Sequence, residues 1–153
     1  MSTSTRTDSL SYTTTFTVPQ AAREVYDAVV DVRAWWTGDI EGRTDEVGST
    51  FTYRHLPEHH SVQLVTELDP GRRVAWRVTE SRLSFVSEPE EWTGSEITFD
   101  LRPVPSGTEL RFQHVGLVPD VECYGACSTA WSHYMGASLR ALITTGAALP
   151  DPW

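Results

Sequence analysis

Along the first quarter of the chain the apolar positions change period. Leu10, Tyr12, Thr14, Phe16 and Val18 alternate with Ser11, Thr13, Thr15 and Thr17, the two-residue period of a strand with one face in a core. Pro19 suits the first turn of a helix, and Ala22, Val25, Tyr26, Val29 and Val30 then recur at three- and four-residue spacing through Val32. This predicts an amphipathic helix that runs on as a short second turn into Ala34, Trp35 and Trp36, with Gly38 and Gly42 ending it.

From Glu41 to Gly116 the pattern is one of strands and turns. Phe51, Tyr53 and His55 share one strand face; Val62, Leu64 and Leu68 share a face of the next; Val74, Trp76 and Val78 continue the series. Asp69-Pro70-Gly71 and Pro103 to Gly107 carry the residues that tight reversals demand, so consecutive strands should pair as antiparallel hairpins. Ile97, Phe99 and Leu101, then Leu110, Phe112 and His114, supply the inward faces of the last two strands. Leu83 to Trp92 is less regular and reads as a strand end followed by an acidic connection around Glu88, Pro89, Glu90 and Glu91.

Beyond Pro119 the period returns to that of a helix. Cys127, Trp131, Tyr134, Met135, Ser138, Leu139 and Leu142 fall within about 120 degrees on a 3.6-residue wheel, a broad core-facing stripe. Gly146 and Pro150 mark the end of this long helix. The expected organisation is a polar leader over 1–9, one α+β domain over 10–146 and a short tail over 147–153.

Composition narrows the function classes. The 153 residues suit a single core, and a hydrophobic share of 39% with six Trp, five Tyr and five Phe is too rich for a disordered chain. Acidic residues outnumber basic ones by 21 to 12, for a formal net charge of −9. Nucleic-acid binding relies on cations that neutralise phosphates, so a nucleic-acid partner is not expected, and an anionic membrane surface is disfavoured for the same reason. No apolar run approaches the roughly 20 residues of a membrane-spanning helix, and the cytoplasm is the expected compartment. Cys123 and Cys127 lie too close in sequence for a major stabilising disulfide and read as thiols, with Cys127 packed.

Several motifs then converge. Phe16-Thr17-Val18-Pro19 with Val25, Tyr26, Ala28 and the Trp35-Trp36 pair, Leu68 to Trp76 as a central hairpin, Gly107-Thr108-Glu109-Leu110, and the closing series Trp131, Ser138, Leu139, Leu142 and Gly146 together resemble the family named for the activator of Hsp-90 ATPase homologue. That family belongs to the START-like, SRPBCC superfamily of polyketide cyclases and birch-pollen allergen-like proteins. The resemblance implies a helix-grip fold, in which a bent antiparallel sheet wraps around a long C-terminal helix, with two short helices after the first strand. It also implies an elongated cavity between sheet and helix.

Aromatic residues suited to line such a cavity are Trp35, Trp36, Phe51, Tyr53, Trp76, Phe99, Phe112, Trp131 and Tyr134, together with Met135. His55 and His114 alternate onto inward faces and are candidates to address a ligand's polar end, or to sit as hydrogen-bonded core histidines. His55, His59 and His60 with Glu58 offer imidazole and carboxylate, but straddle Pro57 on an expected hairpin loop, where a solvated turn is the simpler reading. No metal, cofactor or catalytic residue is expected. The leading reading is a non-catalytic binder of an apolar or aromatic small molecule, as monomer or homodimer. A cyclase, aromatase or hydrolase using the same cavity is the first alternative, and a chaperone-associated interaction module the second.

Overall fold

The computed structural model describes residues 11–36, 39–55, 59–83, 92–117 and 124–148. β1 (Ser11–Val18) leads into α1 (Ala22–Val30) and the single turn α2 (Val32–Trp35). Six strands follow: β2 (Asp39–Gly42), β3 (Thr50–His55), β4 (His59–Asp69), β5 (Arg73–Leu83), β6 (Glu96–Val104) and β7 (Gly107–Val115). The C-terminal rod is α3 (Tyr124–His133), a π-helical turn (Tyr134–Leu139) and α4 (Arg140–Thr145). This is the expected α+β helix-grip architecture.

All seven strands form one antiparallel sheet in the order β1-β7-β6-β5-β4-β3-β2. Hairpins build β2 through β7 in sequence, and β1 closes against β7, with Phe16 opposite Leu110. Gly107 is the residue that lets these strands meet. It adopts φ +144°, and a Cβ there would strike the Val18 carbonyl oxygen and come within 2.6 Å of the Pro19 Cα, so only glycine fits.

The helical segments cover one face of the sheet. Val25, Val29, Trp35, Trp131, Met135 and Leu139 are buried with Val74, Phe99, Leu110 and Phe112 in one hydrophobic core. Three polar contacts fix the helices to their neighbours: the Trp35 indole donates to the Val29 carbonyl at 3.2 Å, Thr44 to the Val30 carbonyl at 2.8 Å, and Ser138 to the Trp35 carbonyl at 2.8 Å. The opposite face carries ion pairs, including Arg73 with Glu67 and Asp100, and Arg102 with Glu109. Exposed pairs of this kind contribute about 0–1 kcal/mol each, so the core holds the fold.

The two short helices expected after β1 are present and meet at Asp31. Three sequence expectations need correction. Gly42 sits in β2, paired with Phe51, rather than ending a helix. In β4 the buried face is Ser61, Gln63 and Val65, while Val62 and Leu64 turn outward half-exposed. Leu68 rejoins the inner side opposite Val74 because the register shift between Val65 and Glu67 leaves Thr66 as an extra residue on β4. Finally, Leu142 is only half-buried, because the π turn interrupts the 3.6-residue period and no residue of α4 is buried.

Candidate functional site

The inner strand faces and the rod bring the predicted aromatic residues into one cluster. Trp35 and Trp36 come from α2 and its C-cap, Phe51 and Tyr53 from β3, Trp76 from β5, Phe99 from β6, Phe112 and His114 from β7, Trp131 from α3, and Tyr134 with Met135 from the π turn. Each is at most 3% exposed. Trp36 is central: its ring stacks on Tyr53 at 3.9 Å, lies parallel to Trp76 at 6.1 Å and meets Trp131 at 5.1 Å. Phe112 and Trp131 approach to 4.6 Å. The rings thus close on one another. His55 ends β3 opposite His59, and its side chain lies outside the described residues.

A polar belt crosses the same face. Tyr53, Ser61 and Ser81 stand opposite one another on β3, β4 and β5. The Gln63 amide donates to the Ser61 hydroxyl at 2.6 Å, His59 Nε2 lies 3.2 Å from that hydroxyl, and Ser81 bonds Thr93 at 3.0 Å. His59 is not on a solvated turn, as the sequence reading had it. It opens β4, half-buried, with its ring packed edge-on against Tyr53 at 4.8 Å and Trp92 at 4.7 Å. Sequence reasoning missed Ser61, Gln63, Ser81, His59 and Trp92 as members of the site. The available signal was the two-residue alternation that places Ser61 and Gln63 in phase with Val65.

The hydrogen bonds fix the state of His114. Trp131 Nε1–H donates to His114 Nδ1 at 3.1 Å. Nδ1 therefore bears no proton, and Nε2–H donates to the Ser95 hydroxyl at 2.9 Å, which in turn donates to the Trp92 carbonyl at 2.5 Å. Complete burial pushes the imidazole pKa down to about 3, because desolvation penalises the cation. Both ring nitrogens are thus occupied, and a ligand reaches either one only by displacing Trp131 or Ser95. Burial, then the neighbouring Tyr134 hydroxyl, pushes the Tyr53 phenol well above its ordinary value. Both groups are neutral across the physiological range.

The arrangement offers aromatic surface, hydroxyls, one amide, the uncharged His114 imidazole and the His59 ring. Ser61 beside His59 has the elements of a nucleophile and base, although Ser61 is fully enclosed and already accepts from Gln63. No cluster of three metal-ligating side chains occurs among the described residues. Cys127 is buried, and Cys123 and Glu58 lie outside the described residues. A surface cleft of about 420 Å³ is lined by Asp27, Asp31, Arg33, Arg43 and Asp45, among others. Its cations are engaged, Arg33 with the Gly42 carbonyl at 2.7 Å and Arg43 with Asp45 at 3.1 Å, and it lies away from the aromatic face.

With the geometry described, the chain can be compared with known proteins. The profile of the family described as "Activator of Hsp90 ATPase homolog 1-like protein" matches residues 20–144. The chain belongs to that family. Among solved structures it is similar to the Aha1 dimer from Colwellia psychrerythraea, at 27% identity over 89% of this chain and 97% of that one, with a TM-score of 0.72. It shares the fold of SSP2350 from Staphylococcus saprophyticus, at 16% identity over 91% and 95% of the chains and a TM-score of 0.67. DynU16, from the dynemicin biosynthetic locus, has the same fold at 18% identity and a TM-score of 0.71, over 94% of this chain and 51% of that one. None of the curated proteins matches the chain. No helix among the described residues is long and apolar enough to cross a membrane.

Proposed function

We propose that this protein is a receptor for an apolar or aromatic small molecule, held between the inner sheet face and the C-terminal rod. The observation that carries this reading is the inverted face of β4. Ser61 and Gln63 point into the aromatic core at 0% exposure while Val62 and Leu64 face outward. A strand serving stability alone would do the reverse, since burying polar groups costs free energy unless their hydrogen bonds are met. A polar-lined patch inside an aromatic shell is the composition of a small-molecule site. The aromatic walls supply roughly 25 cal/mol for each square ångström of ligand surface removed from water. Trp35, Trp36, Phe51, Tyr53, Trp76, Phe99, Phe112, Trp131, Tyr134 and Met135 supply the walls. The rings close on one another without a guest, so the ligand enters as Trp36 and its partners part.

Native mass spectrometry of protein purified from cells, followed by a panel of lipophiles read by tryptophan fluorescence and thermal shift, tests this reading. Retention of a small molecule at one-to-one stoichiometry, or a raised melting temperature with one lipophile class, is the expected result. Inertness to every class overturns it. The enzyme alternative draws its support from the Ser61 and His59 contact. Product formed from a panel member, and lost in Ser61→Ala with binding retained, would favour it. Among the described residues Val47 is the one large hydrophobic side chain that is mainly exposed, and an exposed apolar patch is what would favour the chaperone-docking alternative.

A further inference from the structure

Three buried polar atoms in the cluster have no hydrogen-bond partner among the described residues: the Oε1 of Gln63 and the indole Nε1–H groups of Trp76 and Trp92. Their side chains are 0%, 0% and 4% exposed. They belong to one chain of contacts, in which Trp36 also meets His59 edge-on at 6.5 Å. Trp76 lies parallel to Trp36 at 6.1 Å, Trp92 packs on His59 at 4.7 Å, and Gln63 is tied through the Ser61 hydroxyl to that same histidine. Buried polar groups are normally paired, so three unmet ones along one chain of aromatic and hydrogen-bond contacts are candidate positions for a bound molecule to complete. Their chemistry is complementary to a definite pattern, with two donors seeking acceptors and one carbonyl oxygen seeking a donor.

The charge of the interior adds a second restriction. Every described arginine is exposed except Arg73, which is half-buried and directed to Glu67 and Asp100 on the outer face. The buried polar residues described are Thr44, Thr98 and Thr108, Ser61, Ser81 and Ser138, with Gln63 and His114, and none carries a formal charge. A carboxylate entering among these buried residues would meet no arginine, and an ammonium no carboxylate, to offset its desolvation.

We infer that the ligand is uncharged and bears a hydroxyl or N–H donor for Gln63 together with carbonyl-type acceptors for the indoles of Trp76 and Trp92. This rests on the receptor reading above and narrows it. It makes Gln63 the residue that selects the ligand's donor, and it excludes fatty acids and other anionic lipids as the preferred guests.

Three matched probes test it: a hydroxylated acetylnaphthalene, acetylnaphthalene without the hydroxyl, and hydroxynaphthoate. Each is titrated into the full chain and into Gln63→Met, a substitution of similar length without polar atoms. The hydroxyl ketone should bind about tenfold more tightly than the plain ketone, the size of effect expected from one satisfied buried hydrogen bond, and the naphthoate should bind least. In Gln63→Met the two ketones should become equal; the substitution removes the unmet Oε1 but also the donation to the Ser61 hydroxyl at 2.6 Å, so the order of the probes, not the melting temperature, is the readout. A purely structural glutamine would leave the probe order unchanged in Gln63→Met, which overturns the assignment. Equal binding of the naphthoate overturns the neutral-ligand inference and leaves the receptor standing. Binding of none of the three overturns the inference, and inertness to the wider lipophile panel as well removes the receptor with it.

Discussion

At the scale of single residues, His114 is the most constrained polar group, and its surroundings make acid sensitivity a residue-level property. The ordinary imidazole pKa of 6.5 falls to about 3 in the folded chain through burial. Between those values the unfolded chain binds a proton that the folded chain refuses. Stability from this residue is therefore complete above about pH 6.5 and declines on acidification toward about pH 3, by at most about 1.4 kcal/mol per pH unit. His114→Phe should lower stability at neutral pH by about 1–3 kcal/mol, since the Trp131 indole and the Ser95 hydroxyl each lose a partner. The same variant should lose less further stability than the parent between neutral pH and about pH 5. Urea midpoints across that range check this, and parallel curves for the two proteins would show that His114 is not the group responsible. Alternation of Leu110, Phe112 and His114 made the inward direction of this ring legible in the sequence. Its partners were not, because Trp131 and Ser95 belong to other elements and no spacing along β7 announces them.

At the scale of elements, what the sequence hid is where a regular period breaks. β7 follows its two-residue pattern throughout and β5 does so from Val74 to Val78, Ile97, Phe99 and Leu101 of β6 face inward, and the hairpin residues Asp69 to Gly71 and Pro103 to Gly107 lie where the reversals occur. The family motif at Gly107 also has a visible cause in the close approach of Val18 and Pro19. β4 defeated the simple reading because its polar residues are the buried ones and its bulges shift the phase midway. The C-terminal rod defeated it because a six-residue π turn carries Tyr134, Met135, Ser138 and Leu139 inward and then rotates the following turn away. On an uninterrupted wheel Leu139 and Leu142 share the core stripe; in the folded chain Leu139 is 0% exposed and Leu142 is half-buried. Leu139→Ala should therefore cost about 2–4 kcal/mol and Leu142→Ala less than about 1.5 kcal/mol. Chemical denaturation of the two variants decides the point, and equal losses would mean that the rod keeps α-helical phase through Thr145.

At the scale of the whole molecule, two bodies of unequal cohesion face each other. The sheet is held by seven strands in continuous antiparallel register. The rod is held by Trp131, Met135 and Leu139 in the core, by hydrogen bonds from Trp131 to His114 and from Ser138 to the Trp35 carbonyl, and by a contact of the Tyr12 hydroxyl with Ser132 at 2.5 Å. Its last segment buries no residue. A guest placed among Trp36, Tyr53, Trp76 and Trp131 must part rings contributed by both bodies, and the body that yields is the one with fewer ties. Local opening free energies range from near zero up to the global stability, and elements that move on ligand entry come from the lower end of that range. Amides of the rod from Tyr124 to Thr145 should thus exchange with solvent deuterium through smaller openings than those of β5, β6 and β7, without global unfolding. A ligand that binds only the folded state adds about 2.7 kcal/mol at a concentration a hundredfold above its Kd. That added protection should be concentrated on the rod and on the Trp35 to Trp36 segment. Hydrogen exchange read by mass spectrometry with and without the bound probe measures both effects. Rod and sheet amides exchanging together at the global limit, with protection rising evenly over both, would mean that the rings never part in the folded state, and entry between sheet and rod would have to be abandoned.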